Sequence, residues 1–179
     1  MKATGIVRRI DDLGRVVIPK EIRRTMRIRE GDPLEIYTSR EGEVIFKKYS
    51  LLGSLEEFAA QFCDTLSHNT DFTVAVTDRD AVIAAAGSGR RELLGKPLEP
   101  AMGQLMEQRK LWLRDDSHPA LAACGETPGC TVAVAAPILC QGDVLGLVLF
   151  LTDRAAAAGE TECKLAQTVA AFLGKNMEV

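Results

Sequence analysis

Apolar and polar residues alternate over short stretches in the first fifty residues, which is the period of β-strands. The pattern predicts strands at 5–10, 15–18, 34–37 and 43–48, with turns at 11–14, 31–33 and 40–42. Pro19 is predicted to open a short helix over 20–26. The N–H of the first helical residue has no hydrogen-bond partner within the helix, so proline, which lacks this N–H, loses nothing there. Elements this short bury little apolar surface, so we expect a dimer with interleaved strands.

After residue 50 the apolar residues recur at helical spacing and then form longer runs. Ser54 and Glu57 match a capping box that opens a helix, whose apolar face continues to Leu66. Further strands are predicted at 72–77, 81–86, 131–139 and 143–151, and further helices near 102–109 and at about 160–177. The pattern therefore predicts two domains: a small, mostly β domain over 1–50 and an α+β domain over 51–179.

The last predicted helix has an unusually wide apolar surface. One stripe contains Cys163, Ala166 and Ala170, and a second contains Leu165, Val169 and Phe172. Contact with a single sheet requires only one stripe. We therefore expect this helix to pack on its own sheet and on a partner helix, so that the first and last helices of the second domain join two dimers into a homotetramer.

Charge differs sharply between the two predicted domains. Residues 1–50 contain 12 Lys and Arg against 8 Asp and Glu, a net charge of +4. Residues 51–179 contain 10 against 17, a net charge of −7. A basic head on an acidic body indicates a polyanionic partner for the first domain.

Several protein classes are disfavoured by the composition. The longest apolar runs, such as 144–151, fall well short of the roughly 20 residues of a membrane-spanning helix. The first residues have no signal-peptide pattern, so we expect a cytoplasmic protein. Five cysteines at irregular spacing indicate reduced thiols, and neither they nor His68 and His118 show metal-ligand spacing, so no metal or cofactor is expected.

Residues 4–24 and 29–36 resemble the AbrB-type swapped-hairpin family, above all in the string Leu-Gly-Arg-Val-Val-Ile-Pro at 13–19. The resemblance implies a dimeric swapped β-barrel that binds double-stranded DNA through an arginine-rich surface. The chain departs from many family members at Arg27, where they have a helix-ending glycine. Carried over residue by residue, the resemblance assigns DNA contact to Arg8, Arg15, Arg23 and Arg24.

Other basic residues of the first domain are weaker candidates for DNA contact. Lys2, Arg9 and Arg27 could join the binding surface or serve only solubility, whereas Arg29 and Arg40 are expected to pair with neighbouring acids. The domain has no long recognition helix, so phosphate contacts and DNA shape should dominate its readout. We therefore expect binding to many AT-rich, deformable sites.

The second domain resembles a GAF domain in the order of its elements and in the segments 136–138 and 145–149 that flank Gly142. Sporulation regulators of the AbrB-type family pair the same two modules. The resemblance implies a transcriptional regulator that activates and represses sporulation genes and is not an enzyme. Oligomerisation and ligand sensing are the roles expected of the second domain.

A ligand of the second domain stays undetermined. Phe72, Val74, Ala84 and Cys130 are candidates to line a pocket over the sheet, although any core contains such residues. The loop at 87–91 lacks the Gly-Lys-Ser/Thr of a phosphate-binding loop and is expected to be solvated.

Two other functions compete with the regulator. A GAF-type free methionine sulfoxide reductase would use Cys124 and Cys130, but a reactive thiol needs nearby cations and the segment 115–126 is acidic. An antitoxin would share the N-terminal fold but needs a disordered tail that wraps its toxin, whereas residues 51–179 have the pattern of a folded domain.

Overall fold

Two separate units make up the chain. The computed structural model describes residues 6–49, 55–115, 120–125, 130–152 and 158–177. Contacts divide the chain into Met1–Tyr49 and Ser50–Val179. The division falls one residue from the boundary that the sequence pattern indicates.

The first unit contains one short helix and one two-stranded sheet. Helix α1 spans Lys20–Thr25, with Pro19 as its N-cap rather than its first residue. Strands β1, Leu34–Thr38, and β2, Val44–Lys48, pair antiparallel, and Ile36 lies opposite Phe46. The predicted hairpin is thus present, and the helix ends one residue before its predicted limit.

Almost nothing is buried within the first unit. Among its described residues, 6–49, only Pro19 is buried. Val7, Ile10 and Val17 are 90%, 69% and 71% exposed. Burying such a side chain contributes about 1.5–3 kcal/mol, so a single copy of this unit lacks the hydrophobic core that normally stabilises a fold.

The strands predicted at 5–10 and 15–18 are not strands in the single chain; Gly5 lies outside the described residues. The turn between them does form, because Gly14 N–H donates to the Asp11 carbonyl at 3.0 Å and Asp11 N–H donates to the Arg15 carbonyl at 3.0 Å. A strand needs a neighbouring strand for its backbone N–H and C=O groups. Nothing in the described part of the same chain supplies one, so a single chain does not test the strands that were predicted for an interleaved dimer.

A five-stranded antiparallel sheet forms the centre of the second unit, in the order β4-β3-β7-β6-β5. Its strands are β3 Thr73–Thr77, β4 Val82–Ala86, β5 Trp112–Leu113, β6 Thr131–Cys140 and β7 Asp143–Thr152. Strands β6 and β7 form a hairpin whose turn residues, Gln141 and Gly142, have φ of 49° and 89°. Two consecutive positive φ values suit the tight turn of a two-residue hairpin.

Helices cover both faces of this sheet. They are α2 Glu56–Asn69, α3 Arg90–Leu93, α4 Pro100–Gln108 and α5 Glu160–Lys175. Val148 and Phe150 of β7 belong to the apolar cluster that contains residues of α2 and α5. Leu147 and Leu149 belong to the opposite cluster, with Met102 of α4. Because β7 is buried on both faces, it reads as a continuous apolar run rather than as an alternating one.

Three details of the second unit differ from the predicted elements or lie beyond them. Helix α2 begins after Leu55, and the predicted capping residue Ser54 lies outside the described residues. The short helix α3 begins inside the loop predicted at 87–91, after Gly89 with φ 75°. Strand β5 has only two residues, too few for an alternating pattern to be recognised.

Helix α5 lies very close to strand β6 at Gly174. A Cβ at this position would collide with the carbonyl oxygen of Leu139. Gly103, in the middle of helix α4, has nothing within 4 Å of the same built atom. The two glycines therefore form a matched pair within one domain.

Replacing each glycine by alanine should change stability in opposite directions. Gly174→Ala should lower the free energy of unfolding by about 1–3 kcal/mol, because the helix must move away from the strand. Gly103→Ala should raise it by about 0.5–1 kcal/mol, because alanine is the better helix former. Urea unfolding of both variants measures the difference, and a stabilised Gly174→Ala protein would contradict the close packing.

Candidate nucleic-acid interface

The structure places the predicted DNA-contacting residues on three segments of the first unit. Arg8 and Arg9 lie in the segment before the 11–14 turn, and Arg15 lies directly after that turn. Arg23 and Arg24 occupy the last turn of α1, and Arg27 follows the helix. All six are exposed, whereas the seventh candidate, Lys2, lies outside the described residues.

The turn before Arg15 is organised by the carboxylate of Asp11. One oxygen, Oδ1, accepts the backbone N–H of Leu13 at 3.0 Å and that of Arg15 at 2.7 Å. The other, Oδ2, accepts the Nε–H of the Arg15 guanidinium at 2.8 Å. The backbone and side-chain hydrogen bonds from Arg15 hold the pKa of Asp11 below its usual value. Asp11 thus stays ionised while it connects the turn to the arginine.

The end of α1 places Arg27 in an unusual backbone conformation. Its φ is 52°, the left-handed region that costs a residue with a Cβ roughly 1–2 kcal/mol. The N–H of Ile28 donates to the Arg23 carbonyl at 2.8 Å, as in a Schellman helix end. The Arg27 carbonyl accepts the Lys48 Nζ at 3.1 Å, which connects the helix end to β2. Glycine, which the AbrB-type resemblance places at this position, would adopt this geometry without that cost.

Sequence reasoning treated Asp11 only as a turn former and missed its contact with Arg15. The signal was available, since an aspartate commonly accepts N–H groups two or more residues further along a turn. What the pattern cannot show is that the second carboxylate oxygen reaches the arginine side chain. That contact depends on the left-handed Gly14, whose φ is 75°.

Four of the five thiols of the second unit are buried, and Cys140 is half-buried. Cys124 and Cys130 belong to one apolar cluster, on the α4 side of the sheet. Burial, with smaller effects of Cys130 and Glu99, raises the pKa of Cys124 to about 11. Burial likewise raises the pKa of Cys63 to about 12. These environments suppress thiolate formation.

The four residues considered for a ligand pocket do not share one face of the sheet. Phe72, Val74 and Ala84 belong to the cluster on the α2 and α5 side. Cys130 belongs to the cluster on the α4 side. The expectation that they line a common pocket is therefore wrong; alternation of side chains across a strand separates them.

In the described ranges, no group of three or more His, Cys, Asp or Glu side chains is arranged to hold a metal ion. No helix in those ranges is both long and apolar enough to cross a bilayer.

Comparison with protein families gives two matches that divide the chain as the fold does. The family described as "Stage V sporulation protein T C-terminal, transcription factor" matches residues 54–178. The family described as "Antidote-toxin recognition MazE, bacterial antitoxin" matches residues 7–50.

Two relatives from Bacillus subtilis align with this chain, one over nearly its whole length and one over 49 residues. Stage V sporulation protein T is 46% identical over 179 residues, covering 99% of both chains. The transition state regulatory protein AbrB is 63% identical over 49 residues, which are 27% of this chain and 50% of that protein. The predicted AbrB-type resemblance of the first unit is confirmed.

Solved structures share the architecture of the second unit. A type II free methionine-R-sulfoxide reductase from Thermoplasma acidophilum has a TM-score of 0.53 at 16% identity, covering 69% of this chain and 94% of its own. A methyl-accepting chemotaxis protein fragment has a TM-score of 0.55 at 15% identity, covering 68% and 87%. At such low identity the likeness shows the fold alone, and it agrees with the predicted α+β architecture.

The family follows from the extent of these matches. One family model covers most of the second unit, and the full-length relative aligns with both units in the same order. This chain therefore belongs to the stage V sporulation protein T family of transcription factors.

Proposed function

We propose that this protein regulates sporulation genes, activating some and repressing others, by binding double-stranded DNA through a dimeric first unit. The observation that carries the proposal is the composition of that unit's surface. It exposes the apolar side chains that a core would need, and it exposes the six described candidate arginines as well. Pairing two copies would bury the first set and leave the second set for DNA.

Interleaving the strands of two copies would supply the backbone hydrogen bonds and the apolar contacts that the first unit lacks as a single chain. Segments 6–10 and 15–18 carry exposed apolar side chains and form no strand within the described part of their own chain. A second copy can supply the missing ladder partners and cover Val7, Ile10 and Val17. Two-fold symmetry then presents every arginine twice on the dimer, which doubles the positive charge without lengthening the chain.

The arginines suit a DNA backbone chemically. A guanidinium can donate two parallel hydrogen bonds to one phosphate. We assign Arg8, Arg15, Arg23 and Arg24 to this surface, with Lys2, Arg9 and Arg27 as its outer members. The net charge of +4 on residues 1–50 favours the approach of DNA, whereas the net −7 of the second domain keeps that domain away from it. Because its proposed partner is DNA, we expect the protein in the cytoplasm.

The second unit offers a surface for assembly beyond the dimer. Phe58 of α2 is 50% exposed and Phe172 of α5 is 41% exposed. Phe62 packs edge-on against Phe172, with ring centroids 5.0 Å apart, so aromatic side chains of the two helices meet. Clustered exposed aromatics are typical of interfaces. We propose that this surface joins two dimers into a tetramer, with a small-molecule ligand of the domain still to be identified.

The competing functions receive less support. A reductase that attacks with Cys124 needs a thiol of lowered pKa, but burial raises the pKa of this thiol. An antitoxin needs a segment that folds on its toxin, but residues 55–115, 130–152 and 158–177 contain most of a folded α+β unit. A transcriptional regulator accounts for both units, since the first would bind DNA and the second would join dimers.

Loss of one DNA-contacting arginine should change the salt dependence of binding. Arg23→Ala removes two cations per dimer, so the slope of log K against log salt should become less steep by about 1.8, at about 0.9 per phosphate. Fluorescence anisotropy with an AT-rich duplex between 50 and 300 mM salt measures it. Arg40→Ala, an equal charge change in the β1–β2 turn, should leave the slope nearly unchanged. Equal effects of both variants would contradict the assigned surface.

A charge on the aromatic surface should prevent tetramer formation. Phe58→Glu places a carboxylate among apolar rings, so light scattering should give the mass of a dimer where the parent gives a tetramer. Leu94→Glu changes a residue that is 49% exposed, next to α3, and should leave the tetramer intact. A tetramer that survives Phe58→Glu would exclude this interface.

Cys124 should react slowly with alkylating reagents. At a pKa of about 11 it contains, at pH 8, roughly two-hundredfold less thiolate than an ordinary thiol of pKa about 8.5. Since the pKa is raised, alkylation by iodoacetamide should keep accelerating at pH values where an ordinary thiol is already fully ionised and its rate has levelled off. Mass spectrometry of peptides after timed alkylation follows it, with the half-buried Cys140 as internal reference. Alkylation as fast as that of free cysteine would favour the reductase.

A further inference from the structure

Asp11 carries the same charge as DNA, yet its carboxylate is hydrogen-bonded to Arg15 of the proposed DNA-binding surface. We propose that Asp11 is a positioning residue that holds the Arg15 guanidinium through Nε, so that its two terminal nitrogens are presented to a phosphate or a guanine. The inference rests on the proposed DNA-binding function and assigns a role to a residue outside the arginine set.

The two oxygens of the Asp11 carboxylate accept hydrogen bonds from different groups. Oδ1 accepts the N–H groups of Leu13 and Arg15, at 3.0 and 2.7 Å, and so fixes the turn. Oδ2 accepts Nε–H of Arg15 at 2.8 Å. Because the turn holds one oxygen, the carboxylate cannot rotate freely, and the direction of the second oxygen is fixed as well.

The contact leaves the functional end of Arg15 available. Bidentate binding of a phosphate or of guanine O6 and N7 uses donors in the planar fork of the guanidinium. Asp11 occupies the donor nearest the aliphatic stem, and the Arg15 side chain remains 68% exposed. An arginine held in this way loses less rotamer freedom when DNA binds.

The opposite role, an acid that competes with DNA for Arg15, is less consistent with this geometry. A competitor would occupy the two terminal nitrogens, where DNA would otherwise bind. The Asp11 side chain is itself 36% exposed, about half as much as that of Arg15. The carboxylate supports the stem side of the guanidinium while the arginine extends further into solvent.

The two roles predict opposite signs when the negative charge is removed. Losing an acid near a polyanion should strengthen binding through long-range electrostatics. Losing a positioning contact should weaken it. Asp12 allows the comparison, because it lies in the same turn, is exposed, and loses the same charge on substitution by asparagine.

The experiment compares Asp11→Asn with Asp12→Asn in the full-length chain by anisotropy with an AT-rich duplex. Asparagine at position 11 keeps an oxygen for the two backbone N–H groups, so the turn is retained, but its amide nitrogen cannot accept Nε–H. Asp11→Asn should weaken binding about tenfold. Asp12→Asn should leave it unchanged or strengthen it. Strengthening by Asp11→Asn to the same extent would overturn the positioning role and leave the DNA-binding function standing.

A double-mutant cycle with Arg15→Ala tests whether Asp11 acts through Arg15. If Asp11 acts through Arg15, Asp11→Asn should cause no further loss in the Arg15→Ala protein. An undiminished tenfold loss in that background would show that Asp11 acts only on the turn and would overturn the inference. If Arg15→Ala alone leaves affinity unchanged, the role of Arg15 in the proposed function is itself contradicted, which is a distinct outcome.

Discussion

The backbone groups of segments 6–10 and 15–18 find no strand partner in the described part of their own chain. The proposed dimer follows from this constraint. These segments carry exposed apolar side chains, and they flank a well-formed turn. Leaving them in water forgoes hydrophobic burial, and burying them without ladder partners would cost unpaired N–H and C=O groups. In the proposed dimer, a second copy of the same unit would resolve both difficulties together. Two-fold placement of the arginines would then be a consequence of folding.

The second unit has the opposite character, since it forms its own core. Strand β7 is buried on both faces, and the helices on either side supply separate apolar clusters. Its exposed large apolar residues include Phe58 of α2 and Phe172 of α5, with Leu94, Leu113 and Leu139 elsewhere on the unit. In the proposed assembly, the first unit gains its apolar core from a partner, whereas the second unit uses a partner only to join dimers. Such a division would bring two DNA-binding surfaces into one assembly.

Sequence patterns predicted the second unit well because its signals are local. Strands β6 and β7 and helix α5 begin and end within two residues of the predicted limits. The short helix α3 and strand β5 escaped prediction, because four and two residues carry no period. In the first unit, the alternating pattern at 5–10 and 15–18 indicated strands that a single chain does not form, since pairing depends on a neighbour outside the segment. The Asp11–Arg15 contact was missed for a similar reason: it depends on the direction of one carboxylate oxygen rather than on residue type.

Interleaving of the first unit is tested most directly by contacts between protomers. Dimers mixed from ¹³C-labelled and unlabelled chains allow isotope-filtered NOE spectra to detect contacts between protomers only. Interleaved strands predict NOEs from the methyl groups of Val7 and Val17 to β-strand residues of the partner subunit. Filtered spectra of the dimer that lack NOEs from these methyl groups to the partner subunit would contradict the interleaving.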